Sequence, residues 1–216
     1  MKILVAILTH DGTQSFADAC IKTWVRDIQK PHEYYFYGSK AQSEKMGRTW
    51  NCEPDDGELR ERLPEKTYKM LIESLNHEWD FLFKCDDDTF VVFDKLVNLL
   101  KNYNFNDDLY IGCKIVNPFS YGQGGAGYAL TRSAAKKCVN FFKHYKIAED
   151  QTVGFTLKEQ NINLTNTNLL STPSPKIAKF GNNQSVCIDA ILKDNKITTH
   201  YVKPDTMKKI YDIFKK

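Results

Sequence analysis

The chain has 216 residues, with 30 basic against 27 acidic side chains, a net charge of +3, 26% charged and 42% hydrophobic residues. At roughly 150 residues per domain this is one domain with some elaboration and an ordinary globular balance, which excludes disorder, collagen and low-complexity sequence. Its basic residues fall in short clusters, Lys136-Lys137, Lys208-Lys209 and Lys215-Lys216, which read as solvated helix faces and not as a stripe that could track duplex nucleic acid. Ile3 to Leu8 is an apolar run, far too short to span a bilayer and lacking a small-residue cleavage site; it reads as a first strand reaching about Thr9. Ser15 fits the N-cap of a helix carrying Ala19, Cys20, Thr23 and Trp24. A second strand follows at Glu33 to Tyr37, ended by Gly38, and Ser39 to Gly57 is polar and irregular. Pro64 fits the first turn of a helix with Met70, Leu71 and Leu75 at core-facing spacing.

The strand Asp80 to Lys84 runs straight into Cys85-Asp86-Asp87-Asp88-Thr89, and a helix follows from about Asp94 to Leu100. Asp108 to Ile115 reads as a further strand, Tyr121 to Tyr128 as a glycine-rich turn, and Ser133 to Phe142 as a helix. Glu149-Asp150 opens an amphipathic segment ending near Gln160. Periodicity is weak from 161 to 195, a stretch that includes Pro173 and Pro175. Ile197 to Val202 then looks extended, and Asp205 caps a closing helix. No internal repeat is visible. The alternation of strand and helix patterns argues a single α/β domain with a mainly parallel central sheet flanked by helices.

The six cysteines, at 20, 52, 85, 113, 138 and 187, form no Cys-x-x-Cys pair and no zinc-ribbon spacing. Cys85, Cys113 and Cys138 sit in apolar runs and read as small buried hydrophobes with reduced thiols. Asn163-Leu164-Thr165 and Asn183-Gln184-Ser185 match the glycosylation acceptor pattern, but without an export signal they read as chance matches. As written, the chain reads as cytoplasmic; a virus-encoded protein and a domain cut from a longer one fit equally.

Three successive aspartates after an apolar strand repel one another, and burial against such a strand raises the cost unless donors or a cation neutralise them. Oxygen ligands of this kind fit Mg²⁺ or Mn²⁺ held between carboxylates and substrate phosphates. The position agrees, because ligands of open α/β sheets bind outside the carboxyl ends of the strands. A solvated acidic turn is the plainer alternative.

Other patterns fit less well. A haloacid-dehalogenase-type phosphotransferase would need Thr or Val where Phe90 stands, and a nucleophilic Asp where Thr9 stands. Gly122-x-Gly124-x-x-Gly127 spells the dinucleotide fingerprint, but Pro118 interrupts the approach and the preceding strand ends early. A ligand-approaching glycine turn and a plain structural turn both remain open for it. His32-Glu33 and His77-Glu78 lack the second zincin histidine, and no P-loop is present. Taken singly, His200 is an ordinary late histidine, and Glu149-Asp150 an acidic helix N-terminus favoured by the helix dipole.

Together these segments resemble the Fringe-like inverting β1,3-glycosyltransferases, the family that includes the core 1 galactosyltransferases. Thr23-Trp24 is similar to the family's Thr-Trp element, and Lys66-Thr67 lies on the helix before the acidic strand. Asp86-Asp87-Asp88-Thr89-Phe90-Val91 resembles the Asp-Asp-Asp-x-Phe/Tyr-Val signature. Gly124-Gly125-Ala126-Gly127-Tyr128 resembles the Gly-Gly-Ala-Gly-Tyr segment, and Asp150-Gln151-Thr152-Val153-Gly154 the acidic Asp-x-Thr-x-Gly element. The match covers about residues 1 to 160, with a weaker tie at His200.

The resemblance implies a GT-A, Rossmann-like fold and a metal-dependent transfer of a sugar from a UDP-sugar to a hydroxyl of a glycan or glycoprotein, with inversion. It implies that Asp88 ligates Mn²⁺ (or Mg²⁺), with Asp86 and Asp87 at the ribose or at water ligands of the ion and His200 as a further metal ligand. Asp150 would be the general base. Lys66 would reach a phosphate, unless it is a solvent-facing helix lysine. Gly124 and Gly125 would leave room for the sugar, and Tyr128 or Trp24 could line a pocket, although core packing is the expected place of Trp24. The expected division is a nucleotide-sugar-binding part over about 1–115 and an acceptor and catalytic part over about 116–216. A noncatalytic module that binds carbohydrate or nucleotide sugar is the alternative of a different class, and a metal-dependent phosphohydrolase a third.

Overall fold

A computed structural model describes residues 1–39, 49–51, 62–117, 119–143, 147–172 and 183–215. Most of the polar stretch from Ser39 to Gly57, together with Cys52, Pro118, Pro173, Pro175 and Lys216, lies outside the described residues.

Strand β1 is Ile3–Leu8, and a short 3₁₀ turn at Asp11–Thr13 leads into helix α1, Gln14–Lys22. β2 spans Glu33–Gly38, β3 Thr49–Asn51, α2 Leu63–Ser74, β4 Phe81–Asp86, β5 Phe90–Val91 and α3 Phe93–Leu100. β6 is Tyr110–Gly112, β7 Lys114–Val116, β8 Ser120–Gly122, β9 Tyr128–Thr131 and α4 Arg132–Asn140. The remaining elements are α5, Glu149–Glu159; β10, Leu164–Asn166; α6, Ser185–Leu192; β11, Thr198–Thr199; and α7, Pro204–Phe214.

Every residue of β1 is buried, as expected of a strand covered on both faces. Its alternation sorts side chains between two cores. Ile3, Val5 and Ile7 join Trp24, Phe81 and Phe83, while Leu4, Ala6 and Leu8 join Met70, Leu82 and Leu130. The central sheet has seven strands in the order β10-β6-β9-β4-β1-β2-β3. β1 runs parallel to β2 and β4, β2 to β3, and β6 to β10, whereas β9 is antiparallel to both neighbours. The mainly parallel α/β sheet is present, with one reversed strand inside it.

Several boundaries differ from the sequence reading. Thr13, not Ser15, is the N-cap of α1, because His10 caps the preceding 3₁₀ turn and moves the helix start forward. The expected strand from Asp108 to Ile115 breaks at Cys113. Tyr110–Gly112 stays in the sheet, while Lys114–Val116 leaves it to form a hairpin with Ser120–Gly122. Cys113 is half-buried there, unlike the fully buried Cys85 and Cys138. The glycine-rich turn is followed by a strand, β9, before its helix. The weakly periodic 161–195 region contains β10 and α6. In the Ile197–Val202 run only Thr198–Thr199 is strand, and Tyr201 has a left-handed backbone (φ 64°). Lys203 caps the last helix, with Pro204 at its start and Asp205 in its first turn. Lys208 and Lys209 lie exposed on that helix. Among the described residues no helix is long and apolar enough to cross a membrane.

Candidate active site

β4 delivers Asp86 to the carboxyl edge of the sheet beside the end of β1. The chain then turns, with Asp87 N donating to Leu8 O (3.0 Å) and Thr89 N to Asp86 O (3.2 Å). This turn separates the three aspartates. Asp87 is buried and points back, its Oδ2 accepting from Thr9 Oγ1 at 2.7 Å. Burial pushes its carboxyl up to about 8, against the lowering effect of the Thr13 and Thr9 hydroxyls.

Asp86 and Asp88 are only partly buried. They meet His200, and the three offer ligand atoms within 4.8 Å of one another. A second ribbon brings the histidine there. β11 pairs antiparallel with β5, and beyond it Val202 N donates to Asp88 O at 2.9 Å. His200 Nε2 lies 2.8 Å from Asp88 Oδ1 and 3.8 Å from Asp86 Oδ2. Tyr201 stacks on the imidazole with ring centroids 3.9 Å apart. Its left-handed backbone is a costly conformation for a bulky residue, of the kind found at functional sites. Burial pulls the His200 pKa down, but Asp88 and then Asp86 outweigh it and hold it above the ordinary value. Burial likewise works to raise Asp86, and Lys84 followed by His200 outweigh it and hold the carboxyl low.

The other wall is the start of α5, where Ala148 is the N-cap and offers no side-chain cap. Asp150 supplies acceptors at this amide-rich end. Its Oδ2 accepts from Gly124 N at 3.1 Å and its Oδ1 from Gln151 N at 2.9 Å. Burial raises its pKa and prevails over those amide donors. Glu149 is buried, with Oε1 accepting from Lys84 Nζ at 2.5 Å, and burial pushes it up to about 7.

Gly124 and Gly125 have a different use from the one expected. A Cβ at Gly124 would overlap the Glu149 carboxylate, and one at Gly125 the His200 ring. Their bareness makes room for those two side chains, and of the pair only Gly125 lines the cavity. Lys66 is buried and not solvent-facing; its Nζ donates to Thr9 O and it lines the cavity. Trp24 and Tyr128 are both fully buried in the cores, so neither is a pocket wall.

These groups surround a cavity of about 570 Å³ lined by Asp86, Asp87, Asp88, Glu149, Asp150, Lys66 and His200, among others. Of the five carboxyl groups there, Asp87 and Glu149 are pushed up by burial and Asp86 shares Lys84 with Glu149, and the Asp86, Asp88 and His200 cluster is the part that a divalent cation would suit. Two carboxylates and an imidazole form a mixed oxygen and nitrogen donor set of the kind that holds divalent metals. Sequence reasoning assigned Asp86, Asp88, His200 and Asp150, which the fold brings to one cavity. It gave no role to Lys84 or to the Glu149 carboxylate, both buried between the two walls. The signal available was a lysine at an inward-facing strand position.

A Fringe-like family model matches residues 3–180. Over 109 residues the chain is 36% identical to the glycoprotein-N-acetylgalactosamine 3-beta-galactosyltransferase 1 of Xenopus laevis, covering 45% of this chain and 30% of that protein. Over 137 residues it is 28% identical to the human chondroitin sulfate glucuronyltransferase, covering 61% of this chain and 17% of that one. The match thus spans less than a third of either relative. Among solved structures, the galactosyltransferase LgtC in complex with donor and acceptor sugar analogs superposes with a TM-score of 0.54 at 12% identity, covering 99% of this chain and 96% of that one. A glycosyltransferase involved in glycosylation of the major capsid of PBCV-1 gives 0.56 at 12% identity, covering 99% and 100%. At such identities the likeness speaks for the fold, which is GT-A. With the sheet, the acid cluster and most of the chain's length in agreement, the protein belongs to the Fringe-like family.

Proposed function

We propose that the protein is a metal-dependent, inverting glycosyltransferase that moves a sugar from a UDP-sugar to a hydroxyl of a glycan or glycoprotein acceptor, forming a β-linkage of the β1,3-galactosyl or N-acetylglucosaminyl type. The observation that carries this reading is the convergence of Asp86, Asp88 and His200 with Asp150 on a single cavity at the carboxyl edge of the sheet. Asp88, Asp86 and His200 hold Mn²⁺, or Mg²⁺ in its place. A divalent ion so bound supplies Lewis-acid stabilisation for the charge that develops on the departing diphosphate. Asp87 and Lys66 brace Thr9 on the cavity wall, and the bareness of Gly125 leaves room for the His200 ring. Asp150 accepts the proton of the attacking hydroxyl. Two backbone amides fix its orientation and burial raises its proton affinity, a combination that favours general-base work.

In this reading the chain is one domain whose nucleotide-binding part, about 1–115, and acceptor part, about 116–216, share the site. His200 crosses from the second part to the aspartates of the first. The test is release of nucleoside diphosphate from a panel of UDP- and GDP-sugars in Mn²⁺, with Asp88→Ala beside the parent. The variant is expected to lose metal-dependent turnover. Activity equal to the parent's would exclude the metal assignment, and binding of Mn²⁺ and UDP without any turnover would favour a noncatalytic module.

A further inference from the structure

We propose that Lys84 is a positioning residue that couples the two walls of the cavity, fixing the cation-binding carboxylate Asp86 and the helix end that carries Asp150 relative to one another. The inference rests on the functional reading above and assigns a role to a side chain which that reading leaves unused. On β4, Phe81, Phe83 and Cys85 enter one core and Leu82 the other. Lys84 follows Leu82 on the same face, level with Ala6 of β1 and Tyr128 of β9. An apolar residue would satisfy that place in the pattern. The ammonium is instead 1% exposed.

A lysine ammonium has three donors, and all three are used. They reach Asp86 Oδ1 at 2.9 Å, Gly124 O at 3.1 Å and Glu149 Oε1 at 2.5 Å. The first bond orients Asp86 and leaves its Oδ2 toward His200. The other two lead to Asp150 by separate routes. Glu149 is its neighbour in the first turn of α5, and Gly124 accepts from Lys84 through its carbonyl while its N–H donates to Asp150 Oδ2. A buried ion pair contributes little to stability compared with apolar packing, so geometry is the gain that accounts for it. Without the ammonium, Asp86 would be free to rotate away from the cation and α5 would lose its anchor.

Lys84→Met alone would leave buried carboxylates uncompensated. The informative variants are therefore Lys84→Met/Glu149→Gln, which removes both charges of the pair, and Glu149→Gln, which keeps Lys84 on Asp86. Three quantities are to be measured: the thermal midpoint, Mn²⁺ affinity from the electron paramagnetic resonance signal of free ion, and kcat and acceptor KM at saturating Mn²⁺. The double variant is expected to fold with a midpoint near the parent's, yet to bind Mn²⁺ about 10–100-fold more weakly and to lose kcat by a similar factor. Glu149→Gln is expected to keep the parent's Mn²⁺ affinity while kcat falls and acceptor KM holds. Parental Mn²⁺ affinity and kcat in the folded double variant would overturn the proposal, and unchanged kcat in Glu149→Gln would overturn the route to Asp150 that runs through Glu149. A parent that binds Mn²⁺ but transfers no sugar would count against the transferase reading instead, and the Mn²⁺ measurement would still report whether Lys84 holds Asp86.

Discussion

The two walls of the cavity carry carboxylates that lie close together and behave oppositely. At the end of β4, Asp86 is held acidic by Lys84 and His200 despite burial. At the start of α5, Asp150 accepts two backbone hydrogen bonds, yet burial raises its proton affinity. One wall therefore keeps a charge available to a cation, and the other keeps a group inclined to take a proton. Carboxyl groups whose surroundings push their pKa values apart mark an assignment of roles. Here the difference arises from neighbours and burial, since the side chains are chemically identical.

The strongest way to break this contrast is Asp150→Asn, which keeps the shape of the side chain and removes its basicity. Transfer is expected to fall by about 10²–10⁴-fold while UDP binding, measured by calorimetry, persists. Loss of both would make Asp150 a structural residue. His200→Gln acts on the opposite wall and removes a ligand, so Mn²⁺ binding should weaken by at least the roughly 10–100-fold that loss of a ligand's outer partner costs, with the thermal midpoint little changed. The contrast sharpens with pH. The base is active when deprotonated, and its pKa is raised, so kcat/KM at saturating Mn²⁺ should climb with pH through that raised value and level off above it, whereas Mn²⁺ affinity should weaken as pH falls through the raised pKa of His200, whose imidazole must be neutral to ligate. Profiles of the two that coincide would erase the distinction. Away from both walls, Leu82→Ala should destabilise the protein by about 2–5 kcal/mol in denaturant unfolding and leave the ratio of kcat to Mn²⁺ affinity untouched.

The parts of this arrangement visible in the sequence are those where local pattern and chemistry coincide. Phe81-Leu82-Phe83 reads as a strand that carries Asp86, Asp87 and Asp88 to its carboxyl end, where ligands of such sheets bind, and Glu149-Asp150 begins a helix where acids belong. β9 is hidden because its four residues, three of them apolar, lie between a glycine turn and a helix, too few for a period to register. The break at Cys113 was hidden because strand propensity continues across it and only the pairing partner changes. Asp87 was grouped with its neighbours because adjacency in sequence does not reveal that the turn aims it at Thr9. Lys84 escapes notice because a lysine near a strand end ordinarily reaches water, and two of the three acceptors that bury it, Gly124 and Glu149, come from remote segments.

The β5–β11 ribbon has a consequence for biosynthesis. Thr198 and Thr199 hydrogen-bond to a strand that emerges from the ribosome about a hundred residues earlier. A nascent chain therefore carries its aspartates through about a hundred further residues of synthesis without the imidazole that completes the cluster. The cluster of Asp86, Asp88 and His200 is complete only once residue 200 has been made, and a chain shortened before residue 198 would retain the seven-stranded sheet and lose the cluster's nitrogen donor.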